Sequence, residues 1–308
     1  MSIIISLTST SIRLPILRYT LISLLNQDYK AEKIIVNLSK DKYLIDQGIQ
    51  KLPDWLKELE ENGSINISWV QNNGPYRKLL PVYEKSKEND IIITCDDDVI
   101  YGPKWLTSLL GTAESFPDCI ICGRARVPLK TIGGRYQSYI NWPLATPGSS
   151  GYDLVPTGVS GVLYRKPLLS KIIMESHDFK DIAPKQDDLW FKLAHELMGT
   201  KVVVSKETYK HINMIEAPGA LTITNVNVKN PVRNSLVLSL SSRLKLKAKA
   251  YLGFPTCGND EAIQRIQNYK LNLCTRQKNH PHPIFIGLGV KKLTNCRNTV
   301  LSLLKNTK

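Results

Sequence analysis

Along its first 125 residues, the chain alternates short apolar runs with segments whose apolar residues recur every three or four positions. The apolar runs have the length of buried strands and cover Ile3–Leu7, Ile34–Leu38, Ile65–Val70 and Ile91–Thr94. The segments between them have helical spacing, at Leu14–Leu25, around Pro53–Leu59, at Leu79–Tyr83 and at Trp105–Leu110. Buried strands that alternate with helices are typical of a parallel sheet with helices on both faces. We therefore expect a doubly wound α/β fold.

The sequence changes character after Val127. Residues 128–161 hold many Gly, Pro, Ser and aromatic residues, which is typical of a functional loop or a small subsheet over a site. A further apolar strand, Val162–Tyr164, and an amphipathic helix that begins near Asp187 follow. We expect a core of residues 1–228, divided into 1–125 and 126–228, and then a separate C-terminal segment, 229–308.

Basic residues are concentrated in that C-terminal segment. The 308-residue chain has a formal net charge of +14, and residues 229–308 contribute fifteen basic and two acidic residues. Such a segment is typical of a contact with an anionic membrane leaflet or a nucleic acid, although solvated side chains without a partner are the alternative. The apolar residues of 284–305 fall near one helical face. We expect a helix there that lies on an anionic membrane or docks on the protein itself.

The cysteines and the apolar runs indicate a compartment. Six cysteines are too sparse for a disulfide scaffold and fit reduced thiols. Cys119 and Cys122 have the spacing of half a zinc site or a redox pair, but they lie in an apolar run, which favours a buried strand. No apolar run reaches the roughly 18 residues of a membrane span, and the apolar start is too short for a signal peptide. We expect a cytoplasmic protein.

Two clusters of carboxylates lie at the ends of predicted elements. Asp96, Asp97 and Asp98 follow the fourth strand, and open α/β sheets bind ligands at the carboxyl ends of their strands. Carboxylate oxygens favour Mg²⁺ or Mn²⁺, although an acidic turn that caps the next helix is the alternative. Asp187 and Asp188 open an amphipathic helix, where one Asp suffices as a cap. The second is a candidate general base if it faces the first cluster.

The order of the motifs resembles the GT-A glycosyltransferases of family 2, in particular a group that assembles bacterial polysaccharides. The motifs are Leu7-Thr8-Ser9, Tyr76-Arg77-Lys78-Leu79, Thr94–Tyr101, Pro156–Tyr164 and Asp187–Phe191, with a late Gly258-Asn259-Asp260 before a short helix. The resemblance covers about residues 1–273. It implies a Rossmann-like, mostly parallel twisted sheet with helices on both faces, plus the basic C-terminal extension.

The resemblance also implies a reaction. Such enzymes move a sugar from a nucleotide-sugar, by default a UDP-sugar, to a saccharide or lipid-linked acceptor, here with inversion by direct displacement and in the synthesis of cell-surface polysaccharide. Asp98 and Asp96 would hold Mn²⁺ or Mg²⁺, and His211 would complete the metal shell unless it is a surface residue. Asp188, or else Asp187, would take the proton of the acceptor hydroxyl.

The resemblance assigns the remaining site residues to the nucleotide. Thr8, Ser9 and Arg13 would line the base and ribose, with Asp96 nearer the ribose, and the role of Asp97 is left open between the metal and the ribose. Lys78 would contact a phosphate, unless it is a solvated side chain at a helix start. An Asp that holds the nucleobase in many relatives is replaced here by Asn72-Asn73, which makes the base preference less predictable.

Two other function classes fit less of the sequence. A non-catalytic polysaccharide- or nucleic-acid-binding protein would use the basic C-terminal segment, but no helix-turn-helix, zinc or RNA-binding aromatic motif accompanies that segment. This makes nucleic acid the less favoured partner. A phosphatase of the DxDx(T/V) type fails at Ile100, where Thr or Val is expected.

Overall fold

The computed structural model describes residues 1–215 and 236–279 of the chain. Their contacts divide them into two units. The first unit contains residues 1–127 and 144–215, and the second contains residues 128–143 and 236–279. The aromatic-rich stretch after Val127 is therefore shared between the two units, whereas the sequence led us to expect divisions after residues 125 and 228.

The helices of the first unit are α1 (Leu14–Leu25), α2 (Asp54–Glu61), α3 (Leu80–Lys85), α4 (Trp105–Ser115), α5 (Lys171–Glu175), α6 (Phe179–Ile182) and α7 (Asp187–Leu197). Its strands are β1 (Ile3–Thr8), β2 (Lys33–Leu38), β3 (Asn66–Trp69), β4 (Ile91–Thr94), β5 (Val99–Tyr101), β6 (Cys119–Cys122), β7 (Ala125–Arg126), β8 (Ser150–Gly151), β9 (Val155–Pro156), β10 (Val162–Arg165), β11 (Lys201–Val204) and β12 (Ile212–Met214). The described helices of the second unit are α8 (Leu236–Tyr251) and α9 (Gly258–Asn279).

Within the described residues, the main sheet has the order β3-β2-β1-β4-β10-β6-β11-β8. Neighbours from β3 to β4 are parallel, as are β6 and β11, whereas β10 is antiparallel to both of its neighbours. Two small ribbons, β5–β12 and β7–β9, accompany it. The predicted mostly parallel α/β sheet is confirmed, and the antiparallel β10 brings the segment before Val162 to the carboxyl edge of β4.

The apolar periodicity explains the core. Ile5, Leu7, Ile93 and Leu163 come from neighbouring strands and are buried together with Leu17 of α1. Each such side chain contributes about 1.5–3 kcal/mol by leaving water. Continuous apolar strands of this kind are buried on both faces, because helices flank a parallel sheet on either side.

Two further sequence interpretations have outcomes here, and a third cannot be compared with the structure. Cys119–Ile120–Ile121–Cys122 is a strand, and both thiols are free, as the apolar run predicted. The helix after Gly258 is longer than the short helix expected, because it extends over 22 residues. The amphipathic helix predicted at 284–305 lies outside the described residues. Within the described ranges, no helix combines the length and the apolar character needed to cross a membrane.

Candidate active site

The carboxyl ends of β1 and β4 meet at one edge of the sheet. Their parallel register pairs Ser6 with Thr94, so the residues that follow each strand become neighbours. The Ser6 hydroxyl donates to the carbonyl oxygen of Lys78 over 2.6 Å, which attaches the turn Gly74–Lys78 to the same edge. The three segments that carry predicted site residues therefore converge.

The second residue of the aspartate triplet, Asp97, is the structural anchor of the turn. Its carboxylate accepts a hydrogen bond from the Ser9 hydroxyl and lies 2.8 Å from a guanidinium nitrogen of Arg13. Its backbone carbonyl accepts from the Thr20 hydroxyl at 2.9 Å. Burial raises the pKa of the Asp97 carboxyl to about 6, although Arg13 and Ser9 act in the opposite direction.

Asp98 and Asp96 are more open to solvent than Asp97. Their side chains are 21% and 31% exposed, against 6% for Asp97. The same Arg13 guanidinium lies 2.5 Å from Asp98, and burial raises the pKa of the Asp98 carboxyl despite this cation. The first and third aspartates are therefore the ones that a ligand from solvent can reach.

Lys78 connects the two acidic clusters. Its Nζ lies 3.1 Å from Asp96, 2.9 Å from Asp187 and 3.9 Å from Asp188, and its side chain is only 7% exposed. Burial is the largest single influence and lowers the pKa of Lys78, but the three carboxylates together outweigh it and leave the pKa well above its ordinary value. Lys78 is therefore a buried cation rather than the solvated side chain that was the alternative.

The acidic pair at the start of α7 faces the aspartate triplet across this lysine. Gly158, in the turn before β10, donates its backbone N–H to Asp188 at 3.4 Å. Burial and then the neighbouring Asp187 raise the pKa of the Asp188 carboxyl, whereas Lys78 acts against the rise. A carboxyl group that takes up a proton more readily than usual is suited to general base chemistry near neutral pH.

Gly158 is required by this arrangement. A Cβ atom at that position would lie 2.9 Å from Asp96 Oδ1 and closer still to Lys78 Nζ. The glycine therefore lets the backbone approach a pair of protein side chains.

A buried ion pair holds the loop after β1. Asp46 accepts a hydrogen bond from the Ser11 N–H at 3.1 Å and pairs with Arg77 at 2.9 Å. Arg77 also donates to the carbonyl oxygen of Ser9 at 3.2 Å. The pair thus fixes both ends of the loop that leads to Arg13.

The comparisons with known proteins identify the family. The model of glycosyl transferase family 2 matches residues 2–173, which is more than half of the chain. The chain belongs to glycosyl transferase family 2. The resemblance seen in the sequence is thereby confirmed. No curated protein matches this glycosyltransferase significantly.

Several solved structures are similar to this family 2 glycosyltransferase. They include Staphylococcus aureus TarS residues 1–349, at 13% identity over 99% of this chain and 81% of that one, with a TM-score of 0.44. The same TarS fragment in complex with UDP-GlcNAc matches at 13% identity, over 100% and 82% of the chains, with a TM-score of 0.46. A 4-diphosphocytidyl-2C-methyl-D-erythritol synthase matches at 10% identity over 72% of this chain and 97% of that one, with a TM-score of 0.42. The assignment of the chain to its family rests on the sequence match over residues 2–173.

Two residues that the sequence assigned to the nucleotide, Thr8 and Arg13, contact groups of the protein itself. The Thr8 hydroxyl donates to the carbonyl oxygen of Asn37, and Arg13 contacts Asp97 and Asp98. Trp190 is fully buried, and its indole N–H donates to the Ile173 carbonyl oxygen. It is a core residue.

The geometry does not bring His211 to the aspartates. Gly102 donates to the His211 carbonyl oxygen at one end of the β5–β12 ribbon, and Ile215 donates to the Asp98 carbonyl oxygen at the other. His211 and Asp98 therefore lie at opposite ends of this ribbon. The role of His211 as a metal ligand stays a prediction that this arrangement does not support.

The side-chain amide of Asn72, which replaces the nucleobase-binding Asp of many relatives, is bonded to groups of the protein itself. Its amide nitrogen donates to the Asp41 carbonyl oxygen and to Asp46, and its oxygen accepts from the Gly74 N–H. In contrast, the buried side-chain oxygen of Asn73 has no hydrogen-bond partner in the described part of the chain.

Sequence reasoning missed Asp46, for which the only signal was an Asp two residues before a glycine.

The carboxylates of the site fit a divalent cation that shares its shell with a substrate. Among the described residues, no three His, Cys, Asp or Glu side chains converge into a metal-binding group. A cation held by one or two carboxylates typically takes its other ligands from phosphates and water.

The site has five carboxylates and two cationic side chains, and so carries three uncompensated negative charges when all groups are ionised. These residues are Asp96, Asp97, Asp98, Asp187, Asp188, Arg13 and Lys78.

Proposed function

We propose that this protein transfers a sugar from a nucleotide-sugar, with UDP-sugar the favoured donor, to a saccharide or lipid-linked acceptor. The observation that carries the proposal is Lys78, a single buried cation within 3.9 Å of carboxylates from both acidic clusters. A donor-binding cluster and a candidate base, held close together on either side of one lysine, suit a direct displacement at a sugar carbon. Membership of family 2 supports the transferase class.

Asp98, with Asp96, is the part of the site that would hold Mn²⁺ or Mg²⁺. Both side chains are partly exposed, whereas Asp97 is buried and bound by Ser9 and Arg13; Arg13 also contacts Asp98, so a cation there must compete with it. A nucleoside diphosphate would add negative charge to a site that already has an excess, so a cation is needed for both to be present together. When bound, the metal would act as a Lewis acid that stabilises the departing diphosphate.

Asp188 is the residue to which we assign the general base. Its raised pKa lets it accept the proton of an acceptor hydroxyl, and the Gly158 N–H fixes one of its oxygens. Asp187 lies closer to Lys78 than Asp188 does, at 2.9 Å against 3.9 Å, so its charge is the more directly compensated and it is the second candidate. Inversion of the anomeric carbon follows from a base on the face opposite the leaving group.

Nucleotide binding tests the proposal. Calorimetry with UDP in the presence of Mn²⁺ should detect binding to the wild-type chain, and Asp98→Asn should weaken it by about tenfold or more because a charged ligand of the cation is lost. Asp118→Asn, which changes an exposed Asp outside the site, is the matched control. An absence of UDP binding to wild type at any metal concentration would contradict the proposal, as would equal binding by Asp98→Asn.

The biological setting is part of the same proposal. We place the enzyme in the cytoplasm, in cell-surface polysaccharide synthesis, and peripheral on the membrane if the acceptor is lipid-linked. Transfer to membrane-extracted lipid-linked saccharides, compared with transfer to free oligosaccharides, tests the acceptor. If the enzyme binds UDP but transfers sugar to neither acceptor, the assignment of the acceptor would be contradicted and the assignment of the donor would not.

A further inference from the structure

The second unit exposes large apolar side chains at two loop tips. Ile132, in the turn after Lys130, is fully exposed at 110%, and Tyr251, Leu252 and Phe254 at the end of α8 are 65%, 60% and 48% exposed. Single exposed apolar residues are common on protein surfaces, but a group of them marks a contact surface. We refer to these four residues as the exposed apolar cluster.

The two loop tips are neighbours. The Thr131 N–H donates to the Arg135 carbonyl oxygen at 2.7 Å, which closes the turn that carries Ile132. A Cβ atom on Gly253 would lie 2.6 Å from the Tyr136 carbonyl oxygen and 3.5 Å from Thr131 Cγ2. Gly253 has φ of +76°, so a glycine lets the end of α8 approach the turn this closely. The apolar residues on either side therefore belong to one surface.

The second unit that carries this surface is rich in basic residues. The described part of the second unit contains ten Lys and Arg residues and two acidic residues, of which Asp260 is buried. Asp260 accepts hydrogen bonds from the Thr256 and Cys257 N–H groups and from Tyr139, so its charge serves the fold. Near the cluster in the sequence are Lys130, Arg135, Lys245, Lys247 and Lys249, and the Arg135 guanidinium lies 6.0 Å from the centre of the Phe254 ring.

The end of α8 leaves most of its surface uncovered. From Leu244 to Lys249 every residue is exposed or half-buried, and Ala250 is the first buried residue. A helix that exposes leucine as well as lysine side chains is suited to the boundary of a bilayer. There the aliphatic stems enter the apolar layer and the ammonium groups stay among the headgroups.

We propose that the second unit binds an anionic membrane surface through the exposed apolar cluster, with the α8 lysines in contact with the lipid headgroups. The combination of aliphatic and cationic side chains favours a lipid surface over a nucleic acid. Tyr251 and Phe254 have rings on which a base could stack, but Ile132 and Leu252 have none, and aliphatic side chains gain more in the apolar layer of a bilayer than against a base. This inference concerns a surface outside the proposed catalytic residues and does not depend on the transferase activity.

Co-sedimentation of the full chain with vesicles tests the inference. We expect binding to phosphatidylcholine vesicles that contain phosphatidylglycerol and much weaker binding to phosphatidylcholine alone. Ile132→Ser with Leu252→Ser should lower the partition coefficient by about tenfold or more, since apolar area is withdrawn from the bilayer. Lys245→Gln, Lys247→Gln and Lys249→Gln together should have an effect of at least that size, and added salt should reproduce it in wild type.

Two variants of the first unit serve as matched controls. Ile22→Ser removes an exposed apolar side chain from α1, and Lys57→Gln removes an exposed cation from α2. Both should bind vesicles as wild type does. Because all substituted positions are exposed, the variants should remain folded, and unchanged UDP binding by calorimetry would verify this for the first unit.

Three results would overturn the inference. One is equal binding of wild type and the Ile132→Ser/Leu252→Ser variant to anionic vesicles. Another is a concentration-dependent dimer that this variant abolishes, since the cluster would then be covered by a second copy. The third is binding to a single-stranded RNA that is tighter than binding to the vesicles and is lost in the triple lysine variant.

Discussion

Lys78 is the residue at which the two acidic clusters act on each other. It lies within 3.1 Å of Asp96 and 2.9 Å of Asp187, and burial keeps its interactions unscreened. Its charge also opposes the rise in the pKa of Asp188 that burial and Asp187 cause. The protonation state of the candidate base therefore depends on this lysine.

Replacing Lys78 by Gln should move the pH dependence of activity. Loss of the cation raises the pKa of the Asp188 carboxyl further, so the ionised base appears only at higher pH. The acid limb of the rate profile should shift upward, and the rate at neutral pH should fall by about tenfold or more. Lys85→Gln, which changes an exposed residue of α3, is the control. A lower rate with an unmoved acid limb would contradict this role.

Arg13 occupies the carboxylate to which we assign the metal. Its guanidinium contacts both Asp97 and Asp98, so a divalent cation must compete with it for Asp98 when no nucleotide is present. Arg13→Gln should therefore bind free Mn²⁺ several-fold more tightly than wild type, as measured by electron paramagnetic resonance of the unbound ion. Arg18→Gln, in an exposed position of α1, should match wild type. Weaker Mn²⁺ binding by Arg13→Gln would mean that Arg13 organises the carboxylates instead.

At the scale of elements, the loop between β2 and α2 supports the site through one buried ion pair. Asp46 and Arg77 are 3% and 2% exposed in their side chains, and together they hold the backbone of Ser9 and Ser11. Breaking one partner of a buried pair leaves the other charge without compensation, which is costly.

Asp46→Asn should lower the free energy of unfolding by about 3 kcal/mol, as measured by urea denaturation. Asp46→Asn combined with Arg77→Met should recover part of this loss, because no buried charge is then left unpaired. Asp41→Asn, at an exposed position of the same loop, is the control. Additive losses in the double variant would show that the two residues do not act as a pair.

The elements themselves were largely predictable, whereas the contacts between them were not. Continuous Ile and Val runs identified β1, β2 and β4 because only strands buried on both faces have that pattern. The carboxylates after β4 could be placed at a sheet edge for the same reason. The link through Lys78 and the anchoring of Ser11 by Asp46 depend on the antiparallel β10 and on a long loop. Neither leaves a periodic signal in the sequence.

At the scale of the whole molecule, α7 connects the site to the core. It begins with Asp187 and Asp188 and continues through the fully buried Trp190 and His195. Burial is the main cause that lowers the pKa of His195 to about 3. Both ring nitrogens are buried, and within the described residues neither has a hydrogen-bond partner. The folded protein therefore keeps a neutral imidazole where the unfolded chain would take up a proton.

This histidine should make the fold sensitive to acid. Because its pKa is lower in the folded state, its contribution is fully present above the unfolded pKa of about 6.5 and is lost as the pH falls toward 3. At pH 5 the loss should be about 2 kcal/mol relative to pH 7. His195→Gln should show a smaller fall in melting temperature over this range, and His177→Gln, at an exposed position, should match wild type. An equal fall in all three proteins would contradict this account.

The central claim is that the aspartates after β4 bind the metal and diphosphate of a nucleotide-sugar. A crystal structure with UDP and Mn²⁺, with data collected at the manganese absorption edge, tests it most directly. The account predicts an anomalous peak at coordination distance from Asp98 and from the diphosphate, with Asp188 across the cleft. A manganese peak away from Asp96 and Asp98, or UDP bound elsewhere on the protein, would contradict it.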